Sequence, residues 1–286
     1  MRKWSVQGRI MHTIKLLAID MDGTCLDSRK RVSGETLRAL EDAARQGVEV
    51  VPTTGRALTC LPHQIDGQPF YRYAISSNGA RATDVRSGEV LFQRLMPQEQ
   101  ALELLKRCDL PAVGASAHIC DEFLLQGRAL WRMGRIVYGR QDASRARAVP
   151  SLEALVRAHS DGVEEMQFFF LGPRARSRVE DALADVEGVS TSYGGNYVEI
   201  CGAGASKGAA LTELAQHLGI AREEIACIGD SENDLSMFDS AGLRFAVGNA
   251  VPQLKERASM VLPDNDDNGV AAAIERYLLP NLRENR

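Results

Sequence analysis

The stretch that decides the fold is Ile14-Lys15-Leu16-Leu17-Ala18-Ile19, followed directly by Asp20-Met21-Asp22-Gly23-Thr24. The first six residues are mostly apolar and contain no turn residue, which is typical of a strand buried on both faces of a parallel sheet. Two carboxylates follow where this strand ends, and Gly23 lets the backbone turn sharply. Ligands bind at the carboxyl ends of strands in open parallel sheets. The stretch therefore predicts an α/β fold with Asp20 and Asp22 at a ligand site, and a solvated turn after a strand is the alternative.

The alternation of strand and helix patterns continues on both sides of a long central segment. Ser33 can cap a helix that ends near Gly47, a residue type that often terminates helices. Short apolar runs that end in polar loops recur, and right-handed crossovers would bring them into one sheet. The predicted strands include 48–53, 73–76, 225–229 and 243–247, and further helices are predicted after Arg56 and at 206–218. We therefore predict a Rossmann-like parallel sheet flanked by helices.

The central segment has a different pattern. Residues 81–94 are typical of a hairpin that turns at Ser87-Gly88, and a helix from Pro97 to about Cys108 follows. The Arg-rich stretch 128–148 has no regular pattern, and its charge is typical of a solvated face. Strands that pair as hairpins with few helices indicate a separate α+β domain inserted into the first. The predicted parts are an N-terminal extension at 1–11, a core at 12–82 and 194–286, and an inserted domain at 83–193.

The composition is typical of a globular protein. The 286 residues are 44% hydrophobic and 25% charged, and the formal net charge of -4 at pH 7 gives no general attraction to nucleic acid or to an anionic membrane. No apolar run approaches the roughly 20 residues that cross a bilayer, and no signal peptide is visible. The six cysteines are scattered without a C-x-x-C pair, which argues against zinc and against a disulfide framework. We expect a cytoplasmic protein without nucleic-acid or membrane partners, and the oligomeric state stays open.

A second acidic loop follows the strand predicted at 225–229. It reads Gly229-Asp230-Ser231-Glu232-Asn233-Asp234 and again lies at a strand tip. Taken alone, it could be a helix cap with acids near the helix dipole. Beside the first loop, Asp230 supplies a third carboxylate for a hard divalent cation. Mg²⁺ suits such a site because it binds few protein oxygens and leaves room for a phosphate oxygen.

Two further positions have the chemistry of a phosphate site. Thr54 and Gly55 offer a hydroxyl and backbone N–H groups at a predicted helix start, which suit a phosphate. Lys207 offers a positive charge for phosphoryl oxygens, and a solvated lysine at a helix start is the alternative. The stretch around Lys207 is not a P-loop, because Lys207 is followed by Gly208 rather than by Ser or Thr.

In their order along the chain, these motifs resemble those of the haloacid-dehalogenase-superfamily phosphatases. The four motifs are Asp20-Met21-Asp22-Gly23-Thr24, Thr54-Gly55-Arg56, Lys207 and Gly229-Asp230-Ser231-Glu232-Asn233-Asp234. The loops Ser77-Asn78-Gly79-Ala80 and Gly248-Asn249-Ala250 are similar to those of the Cof-type branch. That branch carries a large α/β cap between its second and third motifs, where the insertion lies here. Ser77 departs from the Glu that often precedes Asn-Gly in the branch, and the variable cap residues leave the substrate open.

The resemblance implies a mechanism for a phosphatase. Asp20 would attack phosphorus to form an aspartyl-phosphate, and Asp22 would protonate the leaving alkoxide and then take a proton from water. Mg²⁺ would be held by Asp20, the backbone carbonyl of Asp22 and Asp230. The phosphoryl group would be held by Thr54, Gly55, Lys207 and Asn233, with Asp234 orienting Lys207 or the surroundings of the metal. Arg56 and Asn78 are further candidates for substrate contact, with a structural role as the alternative.

The predicted function is therefore that of a Mg²⁺-dependent phosphatase acting on a phosphate monoester of a small metabolite, such as a sugar phosphate. One alternative is a phosphomutase on the same scaffold, which would pass the phosphoryl group to a second hydroxyl instead of water. Another is a non-catalytic protein that senses a phosphorylated metabolite.

A stretch near the C-terminus matches the pattern of a different metal site. Asp264-Asn265-Asp266-Asp267-Asn268-Gly269, with Glu275, fits the calcium-loop expression D-x-[DN]-x-[DN]-G-x5-E in full. An EF-hand needs a helix before this loop, whereas residues 259–263 have the pattern of a strand that ends at a proline. We interpret the stretch as a polar loop that caps a helix at 270–278.

Overall fold

The computed structural model describes residues 13–128, 132 and 145–280. The predicted N-terminal extension at 1–11 and most of the Arg-rich stretch 128–148 lie outside these ranges. The described strands are β1 (Leu16–Ile19), β2 (Glu49–Pro52), β3 (Tyr73–Ser76), β4 (Arg81–Asp84), β5 (Glu89–Gln93), β6 (Val113–Ile119), β7 (Glu122–Gln126), β8 (Arg147–Val149), β9 (Glu165–Phe170), β10 (Val189–Tyr193), β11 (Tyr197–Gly202), β12 (Ile225–Gly229), β13 (Leu243–Ala246) and β14 (Met260–Val261).

The α-helices follow the strands in the order that the sequence pattern predicts, with one exception described below. They are α1 (Gly34–Arg45), α2 (Gln98–Arg107), α3 (Leu152–Ala158), α4 (Pro173–Leu183), α5 (Lys207–His217), α6 (Leu235–Ser240), α7 (Pro252–Arg257) and α8 (Gly269–Ala273), which a π-helical turn (Ile274–Leu278) continues. Serine caps set three of the starts. Ser33 Oγ accepts from Thr36 N, Ser151 Oγ from Ala154 N and Ser206 Oγ from Ala209 N. Within the described ranges, no helix is long and apolar enough to cross a membrane.

The core is a parallel sheet of five strands in the order β14-β13-β12-β1-β2. All four residues of β1 are buried, as expected for a strand covered on both faces. Beside β2, β3 begins a three-stranded sheet in which β4 and β5 form the hairpin predicted at 81–94. Parallel bridges join Val50 to Tyr71 and Thr53 to Ile75, so that this small sheet continues the edge of the core. The predicted α/β class with a Rossmann-like parallel sheet is confirmed.

The inserted part is built on a sheet of six strands in the order β10-β11-β9-β6-β7-β8, antiparallel except for the pairing of β7 with β8. Helices α2, α3 and α4 share an apolar cluster with β6, β9 and β11, and this cluster is separate from that of the core sheet. Phe168 and Val156 are among its fully buried members. A second hydrophobic core of this kind is what an inserted α+β domain needs in order to fold around its own sheet.

The bounds of the inserted domain stay a proposal, and the strand pairing suggests how to place them. β4 pairs with β3 and β5 with β4, whereas β11 pairs with β9. Because hydrogen-bonded strands form one sheet, we propose that the domain begins after β5 and ends after β11, rather than at residues 83 and 193. The sequence pattern does not show to which sheet a hairpin belongs, because β4–β5 and β10–β11 have similar patterns and their neighbouring strands are known only from the structure.

The helix predicted after Arg56 is wrong. A single 3₁₀ turn (Leu58–Cys60) follows instead, and the chain then runs through turns to β3. Pro62 explains the early stop, because proline has no backbone N–H and disfavours the helical conformation of the residue before it. The phosphate site expected at this helix start therefore depends on loop backbone and on the hydroxyl of Thr54.

Candidate active site

Asp20 lies at the tip of β1, where the backbone of the sheet fixes its position. Its N–H donates to Ile228 O at 3.0 Å, which ties this tip to the neighbouring β12. Asp20 is 3% exposed, and its Oδ2 is buried without a hydrogen-bond donor among the described residues. Burial raises the pKa of Asp20 well above its usual value, an effect that Lys207 opposes and that Asp234 and Asp230 add to. A buried carboxylate oxygen without a hydrogen-bond donor costs free energy, and a bound cation would remove this cost.

Lys207 is the first residue of α5, and its side chain points into the same buried site. Its Nζ lies 2.6 Å from Asp20 Oδ1 and 2.7 Å from Asp234 Oδ1, and the residue is 1% exposed. Burial alone would lower the pKa of Lys207, but the attraction of the two carboxylates outweighs it and raises the pKa. Lys207 is therefore a fixed positive charge beside Asp20, rather than the solvated lysine of the alternative interpretation.

Asp234 is fully engaged by donors from its own loop and from Lys207. Its Oδ1 accepts from Lys207 Nζ, and its Oδ2 accepts from the backbone N–H groups of Asp230 at 2.9 Å and Ser231 at 3.1 Å. Both oxygens are thus used to shape the loop and to hold the lysine. This arrangement fits the prediction that Asp234 orients Lys207.

Asp230 completes an acidic cluster that fits a divalent cation. One oxygen each of Asp20, Asp230 and Asp234 lie within 4.8 Å of one another. Thr24 Oγ1 donates to Asp230 Oδ1 at 2.7 Å, and burial together with Asp234 raises the pKa of Asp230. Three carboxylates with one lysine leave an excess of negative charge in a buried site. Hard carboxylate oxygens, one of them unsatisfied, are the ligands that Mg²⁺ prefers.

Gly23 is required because its loop, which follows β1, lies very close to Asp230 in the loop that follows β12. Its φ is +89°, and a Cβ added there would lie 2.6 Å from Asp230 Oδ2. Any larger residue would be strained and would push Asp230 away from Asp20.

Asp22 lies beside the cluster but is held differently from its neighbours. Arg56 donates two hydrogen bonds to it, from Nε to Oδ2 at 2.6 Å and from an Nη to Oδ1 at 2.8 Å, and Lys30 Nζ lies 3.0 Å from Oδ1. Burial opposes these contacts, yet the hydrogen bonds and charges of Arg56 and Lys30 prevail and lower the pKa of Asp22 to about 2. Sequence reasoning missed Lys30, since no motif marks a lysine eight residues after Asp22.

The remaining predicted phosphate ligands lie along the wall of one cavity. Thr54 follows β2, is 1% exposed and accepts from Arg56 N through its Oγ1 at 3.1 Å. Thr54, Gly55 and Asn233 line the cavity together with Asp20. The amide of Asn233 donates to Asn78 Oδ1 at 2.9 Å, so that this candidate ligand already has a protein partner.

Asn78 is not among the residues that line the cavity and instead connects core and inserted domain. Its Nδ2 donates to Glu165 Oε2 and to Glu199 Oε2, both at 2.9 Å. Asn78 adopts a left-handed conformation with φ of 53°, which asparagine tolerates better than most residues. Its placement favours the structural alternative, whereas Arg56 does line the cavity.

The cavity, of about 610 Å³, lies between the core and the inserted domain. The inserted domain contributes residues that sequence reasoning did not identify, including His118, Phe123, Gln167, Tyr197 and Glu199. They lie on the strands β6, β7, β9 and β11, and none of them belongs to a motif that marks it in the sequence. Acidic residues of the core and polar and aromatic residues of the inserted domain thus line one cavity.

The acidic loop near the C-terminus is not built like an EF-hand. The strand β14 leads into it, rather than a helix. Asp264 Oδ1 accepts from the N–H groups of Asp266 and Asp267, and Asp266 Oδ1 accepts from Ser28 N. These carboxylates close the loop and attach it to the segment after β1. The interpretation as a polar loop before a helix agrees with this arrangement.

Comparisons with known proteins identify the class to which this fold and site belong. Residues 17–274 match the family described as haloacid dehalogenase-like hydrolase, and the chain belongs to this family. A 5-amino-6-(5-phospho-D-ribitylamino)uracil phosphatase of Bacillus subtilis is 30% identical over 288 residues, which cover 93% of this chain and 98% of the relative. A pyridoxal phosphate phosphatase of Escherichia coli is 27% identical over 93% of this chain and 100% of its own.

A solved structure supports the same conclusion for the fold. A haloacid dehalogenase-like hydrolase from Bacteroides thetaiotaomicron superimposes with a TM-score of 0.81 at 24% identity, over 92% of this chain and 99% of the other. Together with the family match and the phosphatase relatives, this confirms the resemblance to Cof-type phosphatases with a large cap, and the inserted domain is called the cap from here on. The chain is an enzyme of the phosphoric monoester hydrolase class.

Proposed function

We propose that the protein is a Mg²⁺-dependent phosphatase that hydrolyses the phosphate monoester of a small metabolite through an aspartyl-phosphate on Asp20. The observation that carries this proposal is the buried arrangement of Lys207 between Asp20 and Asp234, with Asp20 Oδ2 left unsatisfied beside Asp230. A structural ion pair would satisfy its own oxygens. A carboxylate that binds a cation and reacts with phosphorus needs an oxygen that no protein group occupies.

In the first half-reaction, a carboxylate oxygen of Asp20 attacks phosphorus, the bond from phosphorus to the leaving oxygen breaks, and Asp22 protonates that oxygen. Lys207, held on Asp20 and Asp234, neutralises charge on the phosphoryl oxygens as they pass through the transition state. Thr54 and the backbone around Gly55 lie on the same cavity wall and would position the phosphoryl group. Bound Mg²⁺, held by Asp20, Asp230 and the carbonyl of Asp22, would supply charge neutralisation and orient the phosphate.

Asp22 serves as the acid and base of this proposal, and its partners determine when it can act. Arg56 and Lys30 keep it ionised at neutral pH, a state suited to accepting a proton from water in the second half-reaction. To protonate the leaving group in the first, Asp22 has to lose part of this pairing. A bound phosphate competes for both cations, and it would raise the pKa of Asp22 as it enters.

The names of the relatives support a proposal for the substrate class. The two described above are named for a phosphorylated ribitylaminouracil and for pyridoxal phosphate. We propose a small phosphorylated metabolite as the substrate, with a sugar phosphate among the candidates. The alternatives of a phosphomutase and of a non-catalytic sensor have no specific support in the site.

The test is release of inorganic phosphate from a panel of phosphorylated sugars, vitamins and cofactors, with Mg²⁺ and with EDTA. We expect turnover with Mg²⁺, none with EDTA, and none for Asp20→Asn. Asp109→Asn, an exposed carboxylate on the cap, is the matched control and should behave like the unmodified protein. Turnover by Asp20→Asn at the unmodified rate would rule out the mechanism. A rearranged phosphosugar without free phosphate would identify a mutase, and tight binding without turnover would identify a sensor.

A further inference from the structure

Asn78 is not among the residues that line the cavity, but its side chain contacts Asn233, which is. We propose that Asn78 is a positioning residue, which fixes the side-chain amide of Asn233 so that an N–H, rather than the carbonyl oxygen, is available to the phosphate. The contacts that Asn78 makes with the cap determine this orientation. The inference rests on the proposed phosphatase function, in which Asn233 holds the phosphoryl group.

The cap fixes which way the amide of Asn78 faces. Its Nδ2 donates to Glu165 Oε2 and to Glu199 Oε2, both at 2.9 Å. Glu165 accepts a further hydrogen bond from Gln167 Nε2 through its Oε1 at 2.6 Å, so both of its oxygens face donors. Carboxylate oxygens accept hydrogen bonds, whereas the oxygen of an amide cannot donate one. If the amide of Asn78 were turned by half a rotation, its oxygen would face two acceptors, and the observed orientation is therefore favoured.

The oxygen of Asn78 in turn determines the orientation of Asn233. Asn233 Nδ2 donates to Asn78 Oδ1 at 2.9 Å, and Asn233 Oδ1 accepts from Ser231 Oγ at 3.1 Å. A primary amide has two N–H donors, and within the described ranges Nδ2 of Asn233 donates only to Asn78. The second N–H is left for a ligand in the cavity, which Asn233 lines together with Asp20. A reversed amide would offer an oxygen to an anion, which it repels.

The loop that holds Asn78 is also built against the other proposed phosphate ligands. Asn78 N donates to Thr54 O at 3.1 Å. A Cβ added to Gly55 would lie 3.1 Å from both Oδ1 and Nδ2 of Asn78, which is tighter than ordinary van der Waals contact. The amide of Asn78 is thus packed against Gly55 as well as bonded to Asn233. A residue that served only to attach the cap would need neither contact.

A double-mutant cycle tests whether Asn78 acts through Asn233. Binding of inorganic phosphate with Mg²⁺ is measured by calorimetry for the unmodified protein, Asn78→Ala, Asn233→Ala and the double variant. We expect Asn233→Ala to weaken phosphate binding by about tenfold or more, because hydrogen bonds to charged groups are the stronger ones. Asn78→Ala should weaken it by at least about threefold in the unmodified protein and by less than about twofold in Asn233→Ala. Single effects that multiply in the double variant would overturn the inference.

Steady-state kinetics give a second measurement. Because every ester shares the phosphoryl group, Asn78→Ala should lower kcat/KM by the same factor, to within about twofold, for two esters with different leaving groups. Losses that differ by more than about fivefold between the two esters would place Asn78 in leaving-group recognition and would overturn the inference.

The matched control is Ser77→Ala. It removes the adjacent hydrogen bond between core and cap, which joins Ser77 Oγ and His118 Nδ1 at 2.9 Å, without touching Asn233. Phosphate affinity in Ser77→Ala should stay within about twofold of the unmodified protein. A loss equal to that of Asn78→Ala would show that attachment of the cap, rather than the orientation of Asn233, sets the affinity, and it would overturn the inference.

Urea unfolding followed by circular dichroism verifies that each variant is folded. If Asn78→Ala does not fold, Asn78→Ser, which keeps a small polar group in the loop, takes its place in the cycle. The two proposals fail separately. If the cycle gives the expected result while no ester is hydrolysed, the phosphatase function fails and the positioning role stands. If esters are hydrolysed while the single effects multiply, the phosphatase function stands and the positioning role fails.

Discussion

Removing the buried lysine is the most direct test of how the site is held together. In Lys207→Met, the carboxylates of Asp20 and Asp234 would lose a cation that lies 2.6 and 2.7 Å away, in a place where both are almost fully buried. Removing one partner from a buried ion pair costs about 3–5 kcal/mol, because the remaining charge is left without compensation. We therefore expect the free energy of unfolding of the core to fall by about that amount in EDTA.

The pH dependence of this loss makes the prediction specific. Without Lys207, the pKa of Asp20 rises further, since burial and the neighbouring acids then act unopposed. An acid whose pKa is raised on folding contributes stability below that pKa and loses it as the pH rises. The destabilisation should thus be larger at pH 8 than at pH 5.5.

The assay is urea unfolding followed by circular dichroism, at both pH values and with the m-value compared. The control is Lys106→Met on the exposed face of α2, for which we expect a change below about 0.5 kcal/mol. A loss under about 1 kcal/mol for Lys207→Met, or a loss that is the same at both pH values, would refute the reasoning that burial makes this pair essential.

Three further changes test other parts of the site. Gly23→Ala should lower turnover, and it should lower the free energy of unfolding by about 1–3 kcal/mol because of strain at a positive φ and displacement of Asp230. Retained activity would show that the two loops have room for the added methyl group. Asn78→Ala leaves the two acids of the cap without their shared donor, and the midpoint of urea unfolding should fall by an amount that corresponds to about 1–3 kcal/mol. Burial lowers the pKa of His118 to about 3. In the unfolded protein the imidazole takes up a proton below about pH 6.5, whereas in the native protein it stays neutral. The free energy of unfolding should therefore fall as the pH drops below about 6.5. The drop between pH 7.5 and 5 should be smaller in His118→Gln by about 2 kcal/mol, and an equal drop would place the histidine in water.

Much of the core could be predicted because the sequence features that mark its strands and loops lie within a few residues of one another. The apolar run before Asp20 and that before Asp230 each predict a strand, and each acidic loop is continuous with its strand. Since parallel strands place their carboxyl ends on one edge, the sequence implied that these loops meet, and Asp20 and Asp230 belong to one acidic cluster in the structure. The helix predicted after Arg56 was wrong because a proline six residues later outweighed the βα rhythm.

The state of Asp22 could not be predicted in the same way. Its motif implies an acid that donates a proton, yet Arg56, 34 residues away, binds both of its oxygens and holds it ionised. Which cationic side chain contacts which carboxylate depends on side-chain directions at two strand tips. Sequence spacing does not contain this information.

The sequence by itself therefore determined the fold class and the order of the motifs, and it predicted the residues that we propose to hold the phosphate. Only the tertiary structure decided the cap side of the cavity, where Asn78 donates to Glu199, 121 residues further along the chain, and β11 brings this carboxylate to the cavity wall. The physical reason is that strand periodicity and turn residues act over a few neighbours. The charge and shape of the cavity, by contrast, arise where two separately folded sheets meet.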